Sequence, residues 1–342
     1  MLRKRRGVLF ISLGLVIFVV YLALANPLEA LREIGQINVG LFLVAVVIDD
    51  VGLILFSVSW YLILRGMNVE VRVWEAIQAT FVSLFVVLIV PLPVGSEIIR
   101  GYLVRNKKNA GIGKAVASVL VHKSMYNVSF GVIVTLAAVI VTTVYGGNIP
   151  MSNGFILFVV LFAASSSLVF AAILDTRMLR WVISHSPSWL RSRLFDHLDD
   201  PRLGLDGYGS FVDEIGEAMA ALKSRVAINI VAFLMLALEW SIGSITTYFV
   251  ALSLGRSINI WEIVLIYAVV EFIQQLNLII PGGLGIVDAG LTGAFVFLGV
   301  PLSLAVAISL MTRLVTHWQE FVIYGVASIH YGYREALKEY LG

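Results

Sequence analysis

Six apolar runs, 7–25, 39–64, 114–145, 154–174, 226–254 and 302–328, dictate what this chain can become. Each is near or above the roughly 20 residues that an α-helix needs to cross a hydrocarbon layer ~30 Å thick. Two further apolar stretches, 74–104 and 262–299, are interrupted in the middle by PLPVG (91–95) and PGGLG (281–285). The first is too short for two ordinary crossings and reads as a hairpin of two half-helices returning to its own side. The second reads as a hairpin or as two short spans, and it also returns to its starting side. With 59% hydrophobic and 13% charged residues, the chain lacks the polar surface of a soluble domain of this length. The fold class expected is an all-α integral membrane protein, with about six full spans and two broken re-entrant hairpins.

Charge placement sets an orientation. With a cytoplasmic N-terminus, Arg32 and Arg256 are the only basic residues in external loops, and the remaining loop Lys and Arg fall inside. Both termini are then cytoplasmic, in a multi-pass protein of the plasma membrane. The basic stretch Arg3–Arg6 and the uncharged run to Ala25 resemble a secretory signal, but the run exceeds a usual signal core and favours a retained span. Segment 176–225 is the one long loop. Its Trp181 and Trp189 lie among arginines, as in a segment on lipid headgroups. Phe211, Ile215, Met219 and Leu222 form a helical stripe opposite Asp213, Glu214 and Glu217, as in an amphipathic helix resting on membrane or bundle. No linker divides residues 1–342, which read as a single domain.

The chain repeats itself. At an offset of 190, LIVPLPVG (88–95) lies on LIIPGGLG (278–285) and KAVASVLVHK (114–123) on LAVAISLMTR (304–313), with eight identities over 88–123. Three crossings separate the copies, so repeat one (about 39–145) and repeat two (about 226–328) are oppositely oriented. Inverted repeats of this kind place a substrate site near the midplane, between the copies. Irregular backbone at membrane depth is tolerated only where protein or water shields it. Half-helix N-termini, with Ser96 as a candidate cap, carry free N–H groups and partial positive charge, so they favour an anion such as phosphate.

Ionisable residues within spans each cost about 2.5–3.5 kcal/mol on insertion scales and therefore mark candidate sites. Lys123 and Arg313 occupy repeat-equivalent places and are expected to approach each other as a phosphate receptor. Arg100, Glu97, Gly95 and Pro91 of the first hairpin join them, as do Pro281, Gly282, Gly283, Gly285 and Asp288 of the second. Asp49, Asp50, Glu271, His317 and Glu320 are candidates for ion pairing or proton coupling; for Glu239 a helix-locking role is equally open. No zinc-protease motif or nucleotide-binding loop is found, the histidines are isolated, and there are no cysteines. No metal, cofactor or nucleic-acid partner is expected, and no enzymatic activity.

The motifs PLPVGSEIIRGYLV and PGGLGIVDAGL, followed by a span with Arg313, resemble the flippase-like family that includes the transmembrane region of lysylphosphatidylglycerol synthase, the multiple peptide resistance factor. In that family the first motif reads glycine–glutamate with a basic residue nearby, matched by Gly95, Glu97 and Arg100. The second ends in glutamate, near Asp288. The following span carries Glu-Arg and then Asp, where this chain has His122, Lys123 and Asn127. The resemblance implies movement of a lipid with a polar headgroup between leaflets. With Gly342 soon after the last span, it implies a stand-alone translocator served by a separate lipid-synthesising enzyme. A phospholipid or polyprenyl-phosphate flippase is thus the first reading. An ion- or proton-coupled transporter of a small solute is the second, and a membrane-embedded lipid-modifying transferase a third.

Overall fold

The computed structural model describes residues 2–89, 95–105, 107–145, 153–173, 208–276 and 281–332, together with Trp181 and His185. All regular structure among them is helical. In chain order the helices are α1 (Leu2–Leu24), α2 (Pro27–Ile34), α3 (Val39–Gly66), α4 (Val73–Ile89), α5 (Gly95–Val104), α6 (Gly111–Val144) and α7 (Asn153–Ile173). They continue with α8 (Tyr208–Lys223), α9 (Val226–Ser253), α10 (Ile260–Leu276), α11 (Ile286–Phe297), α12 (Leu302–Arg313) and α13 (Glu320–Tyr331).

Three described helices, α3, α6 and α9, are each long and apolar enough to cross a membrane. Local chemistry sets where helices begin and end. Asn38 accepts the Leu41 N–H at 3.1 Å at the start of α3, and Asn259 accepts the Trp261 N–H at 3.0 Å at the start of α10. Pro27 opens α2, where a missing N–H costs nothing. Gly332, at φ 72°, closes α13 in the left-handed conformation. The expected span 7–25 is α1, but the chain then bends by 81° into α2 through Asn26 at φ 50°.

Helix lengths recur along the chain. α3 and α9 each have 28 residues, and α4 and α10 each have 17. Each set continues with a short helix, α5 or α11, followed in the first by the 34-residue α6 and in the second by the 12-residue α12. α4 packs on α5 and α10 on α11, so both interrupted stretches are pairs of packed half-helices. The first break, 90–94, lies outside the described residues. At the second, Pro281–Gly283 forms a single 3₁₀ turn that packs against α4, so the hairpins meet. The last apolar run is helical, but α12 passes into α13 through a π turn at Leu314–Gln319.

α3 and α9 pack together most extensively of all helix pairs. A Cβ at Gly52 would lie 2.9 Å from Ile242 Cγ2, so a small residue sets their approach, as between helices in lipid. Two large apolar cores and two smaller ones result among the described residues. One large core holds Trp60, Ile63, Val104, Val119 and Ile215, and the other Phe130, Trp240, Ile266, Phe295 and Ile308. Large apolar side chains such as Val47, Leu234, Leu238 and Val326 remain exposed on outer helix faces, the pattern of a surface solvated by lipid. The stripe on α8 lies against the bundle: Ile215, Met219 and Leu222 are buried, mainly against α6. Phe211's side chain and the Trp189 segment lie outside the described residues. Glu214, expected on the polar face, turns back and accepts the Gly113 N–H at 2.7 Å near the start of α6.

Candidate functional site: a charged cavity at mid-helix

The long helices change character halfway along. On α6, Val119 and Val121 belong to one core and Phe130 and Val134 to the other, with His122, Lys123, Tyr126 and Asn127 between them. On α3, Asp49, Gly52 and Phe56 lie between Ala45 and Trp60 in the same way, and on α9 Glu239 lies between Ala232 and Val250. These mid-helix positions enclose a cavity of about 380 Å³, within the size range of about 300–1,000 Å³ typical of ligand pockets. Its ionisable lining is Asp49, Glu239, Glu271, Glu320, His122, Lys123 and Arg313. Tyr126, Tyr267 and Tyr324 complete much of the polar wall, and Thr316 joins them from the π turn. A π turn at a functional position is a recurrent feature of helices, because it re-aims the side chains beside it.

Arg313 is 6% exposed and reaches away from its own helix. Its Nη2 donates to the Gly282 carbonyl at 2.6 Å, and its Nε lies 3.4 Å from Asp288 Oδ1. The same Asp288, 2% exposed, accepts the Gly285 N–H through Oδ2 at 2.8 Å and so satisfies the first turn of α11. The half-helix N-terminus expected to receive an anion is therefore occupied by its own aspartate. The backbone of α1 also covers it: a Cβ at Gly285 would lie 2.6 Å from the Phe18 nitrogen, and Tyr21 bonds Thr292 at 2.8 Å. Gly282 and Gly285 adopt φ of 60° and 80°, and a Cβ on Gly282 would collide with the His317 ring. His317 thus braces the turn and does not line the cavity. Gly283, at φ 65°, completes the turn without lining the cavity, and the Pro281 side chain lies outside the described residues.

The other expected residues divide similarly. Lys123 faces the cavity, 5.7 Å from the centre of the Tyr126 ring. Arg100 is buried behind the wall, stacked on Phe56 at 5.3 Å and Trp60 at 4.8 Å. Asp49 lines the cavity, whereas Asp50 accepts a bond from Gln319 Nε2 at 2.8 Å and ties α3 to the π turn. Glu271 and Glu320 line it, and Glu320 accepts the Tyr324 hydroxyl at 3.1 Å. His122 Nε2 lies within reach of Ser59 Oγ (2.9 Å) and the Phe56 carbonyl (3.1 Å). Gly95 opens α5, while the Glu97 side chain and Pro91 lie outside the described residues. The tyrosines were missed, although each stands one helical turn from a membrane-depth charge: 123/126, 267/271 and 320/324. Among the described residues no group of three metal-ligating side chains occurs.

Membrane-length helices, lipid-facing apolar surface and a buried ionic cavity define a helical integral membrane protein. More narrowly, the chain belongs to the family described as the lysylphosphatidylglycerol synthase TM region, whose family model matches residues 10–323. It is similar to a UPF0104 membrane protein of Pyrococcus horikoshii, 21% identical over 333 residues that cover 93% of this chain and 95% of that one. It is also similar to a UPF0104 membrane protein of Methanothermobacter thermautotrophicus, 22% identical over 336 residues that cover 96% of each.

Proposed function

We propose that this protein is a lipid flippase, moving a phospholipid or polyprenyl-phosphate lipid between leaflets by alternating access. The observation that carries the reading is that Lys123 and Arg313, from equivalent places in the two copies of the sequence repeat, line one cavity at mid-helix depth. A phosphate between two cations gains charge-assisted hydrogen bonds that bulk lipid tails cannot offer. The matched lengths of α3 and α9, and of α4 and α10, support an inverted repeat whose halves rock about that cavity. On this reading the chain crosses the plasma membrane six times with both termini in the cytoplasm, as the basic loops favour. The headgroup occupies the cavity while the tails stay against the apolar outer faces. The protein performs no bond chemistry of its own, and a separate enzyme makes the cargo. Membership of a family named for a lipid synthase's transmembrane region supports a lipid cargo.

The test is mass spectrometry of lipids retained through gentle purification, on wild type and Lys123→Gln. Lys123 serves better than Arg313, which also ties down the second hairpin. Enrichment of one phosphate-bearing lipid on wild type and its loss on the variant is expected. Bulk lipid alone on both would refute the reading and favour a small-solute transporter.

A further inference from the structure

The cavity holds more negative than positive groups. Among the described lining residues, Asp49, Glu239, Glu271 and Glu320 face Lys123 and Arg313, with His122 beside Lys123, and Arg313 is already engaged by Asp288 and the Gly282 carbonyl. Carboxylates crowded in a site of low dielectric cannot all ionise, so they share protons. A second observation is independent of that count. Asp49 is 4% exposed, and its Oδ2 is buried with no hydrogen-bond partner among the described residues, as is Glu239 Oε2.

Several neutral donors of the cavity wall are engaged elsewhere. Thr247 donates to the Gly243 carbonyl at 2.9 Å, so the 2.6 Å contact between Tyr267 and Thr247 has the tyrosine as donor. The Tyr324 hydroxyl is on Glu320, and the Gln319 amide is on Asp50 of Asp49's own helix. From α6, His122 is held by Ser59 and the Phe56 carbonyl, and Lys123 and Tyr126 line the same cavity. Two buried acceptors without a donor are what a bound proton satisfies.

We propose that Asp49 and Glu239 form a proton site and that one proton crosses with each anionic headgroup. This rests on the translocation reading above for its second half only. The sign follows from electrostatics. An anion between Lys123 and Arg313 offsets their pull on the carboxylates, so anion and proton each favour the other's binding. When the anion leaves, the proton is released to water on that side. An anionic headgroup and a proton travelling together carry no net charge, so a pH gradient drives the cycle and a membrane potential does not.

The two halves are tested separately. Infrared spectroscopy of the purified protein in lipid nanodiscs at neutral pH is expected to show the C=O stretch of a protonated carboxyl. Asp49→Asn and Glu239→Gln should each weaken it, and exposed Asp213→Asn should not. Absence of the band in wild type, or its loss when sodium chloride replaces potassium chloride, overturns the proton site, the second result in favour of sodium. In vesicles containing NBD-phosphatidylglycerol, a one-unit pH gradient should then shift the leaflet ratio by about tenfold for one proton per lipid. In Asp49→Asn the leaflet ratio should no longer follow the gradient. Redistribution by wild type that ignores the gradient overturns the coupling and leaves translocation standing. No redistribution of this probe, with the infrared band present, overturns the coupled crossing of phosphatidylglycerol and leaves the proton site.

Discussion

Replacing Asp288 by asparagine separates two roles carried by one carboxylate. Oδ2 accepts the Gly285 N–H at 2.8 Å, and an asparagine oxygen can keep that bond. Oδ1 lies 3.4 Å from Arg313 Nε, with both side chains under 10% exposed, and the amide cannot replace its charge. Breaking a buried ion pair from one side costs about 3–5 kcal/mol. Arg313 retains the Gly282 carbonyl at 2.6 Å, which places Asp288→Asn near the lower end, about 3 kcal/mol. Asp288→Ala also removes the helix-start bond and should cost about 1 kcal/mol more. In a cycle with Arg313→Gln, the double variant should recover about 1–3 kcal/mol relative to the sum of the single changes. The assay is unfolding in mixed detergent micelles followed by fluorescence of the 7 tryptophans, since the chain has no cysteine for a thiol dye. Asp288→Asn within about 0.5 kcal/mol of wild type would refute the claim that this pair holds the second hairpin.

Two further outcomes follow from backbone geometry. Gly282→Ala should destabilise by about 1–3 kcal/mol, because the residue sits at φ 60° and its Cβ would enter the His317 ring. Adding His317→Ala should recover the steric part alone, and equal thermal midpoints for Gly282→Ala and wild type would contradict the account. Glu214→Gln should weaken the bond to Gly113 by about 1 kcal/mol and hasten proteolysis within α8. An unchanged cleavage rate would mean that the buried face of α8 alone holds it to the bundle.

Three spans, α3, α6 and α9, were legible because lipid imposes one simple rule: a long apolar run must satisfy its own backbone. The run 39–64 became Val39–Gly66 for that reason. The second break was legible because PGGLG needs left-handed backbone, which its glycines adopt. Lys123 and Arg313 were found together because self-similarity carries distance information that composition lacks. Asp288 was read as a ligand when it is a helix-start acceptor and ion-pair partner. Its role depends on Arg313 folding back 25 residues later, which no local pattern encodes. The π turn was invisible because its residues are ordinary helix formers. Likewise, the 81° turn after α1 depends on Asn26 accepting a left-handed conformation, a choice made by tertiary packing.

The contact of α1 with Gly285 has a consequence for the order of assembly. Tyr21 and Thr292 are 271 positions apart in sequence, and α1 has its main contacts with α11 and the Pro281–Gly283 turn. During synthesis from the N-terminus, α1 is thus without its main described neighbours until the chain has been made past residue 281. It waits at the edge of the growing bundle and closes over the second break like a keystone laid last. A chain halted before residue 281 can build the first hairpin and α9, yet it leaves α1 unmoored.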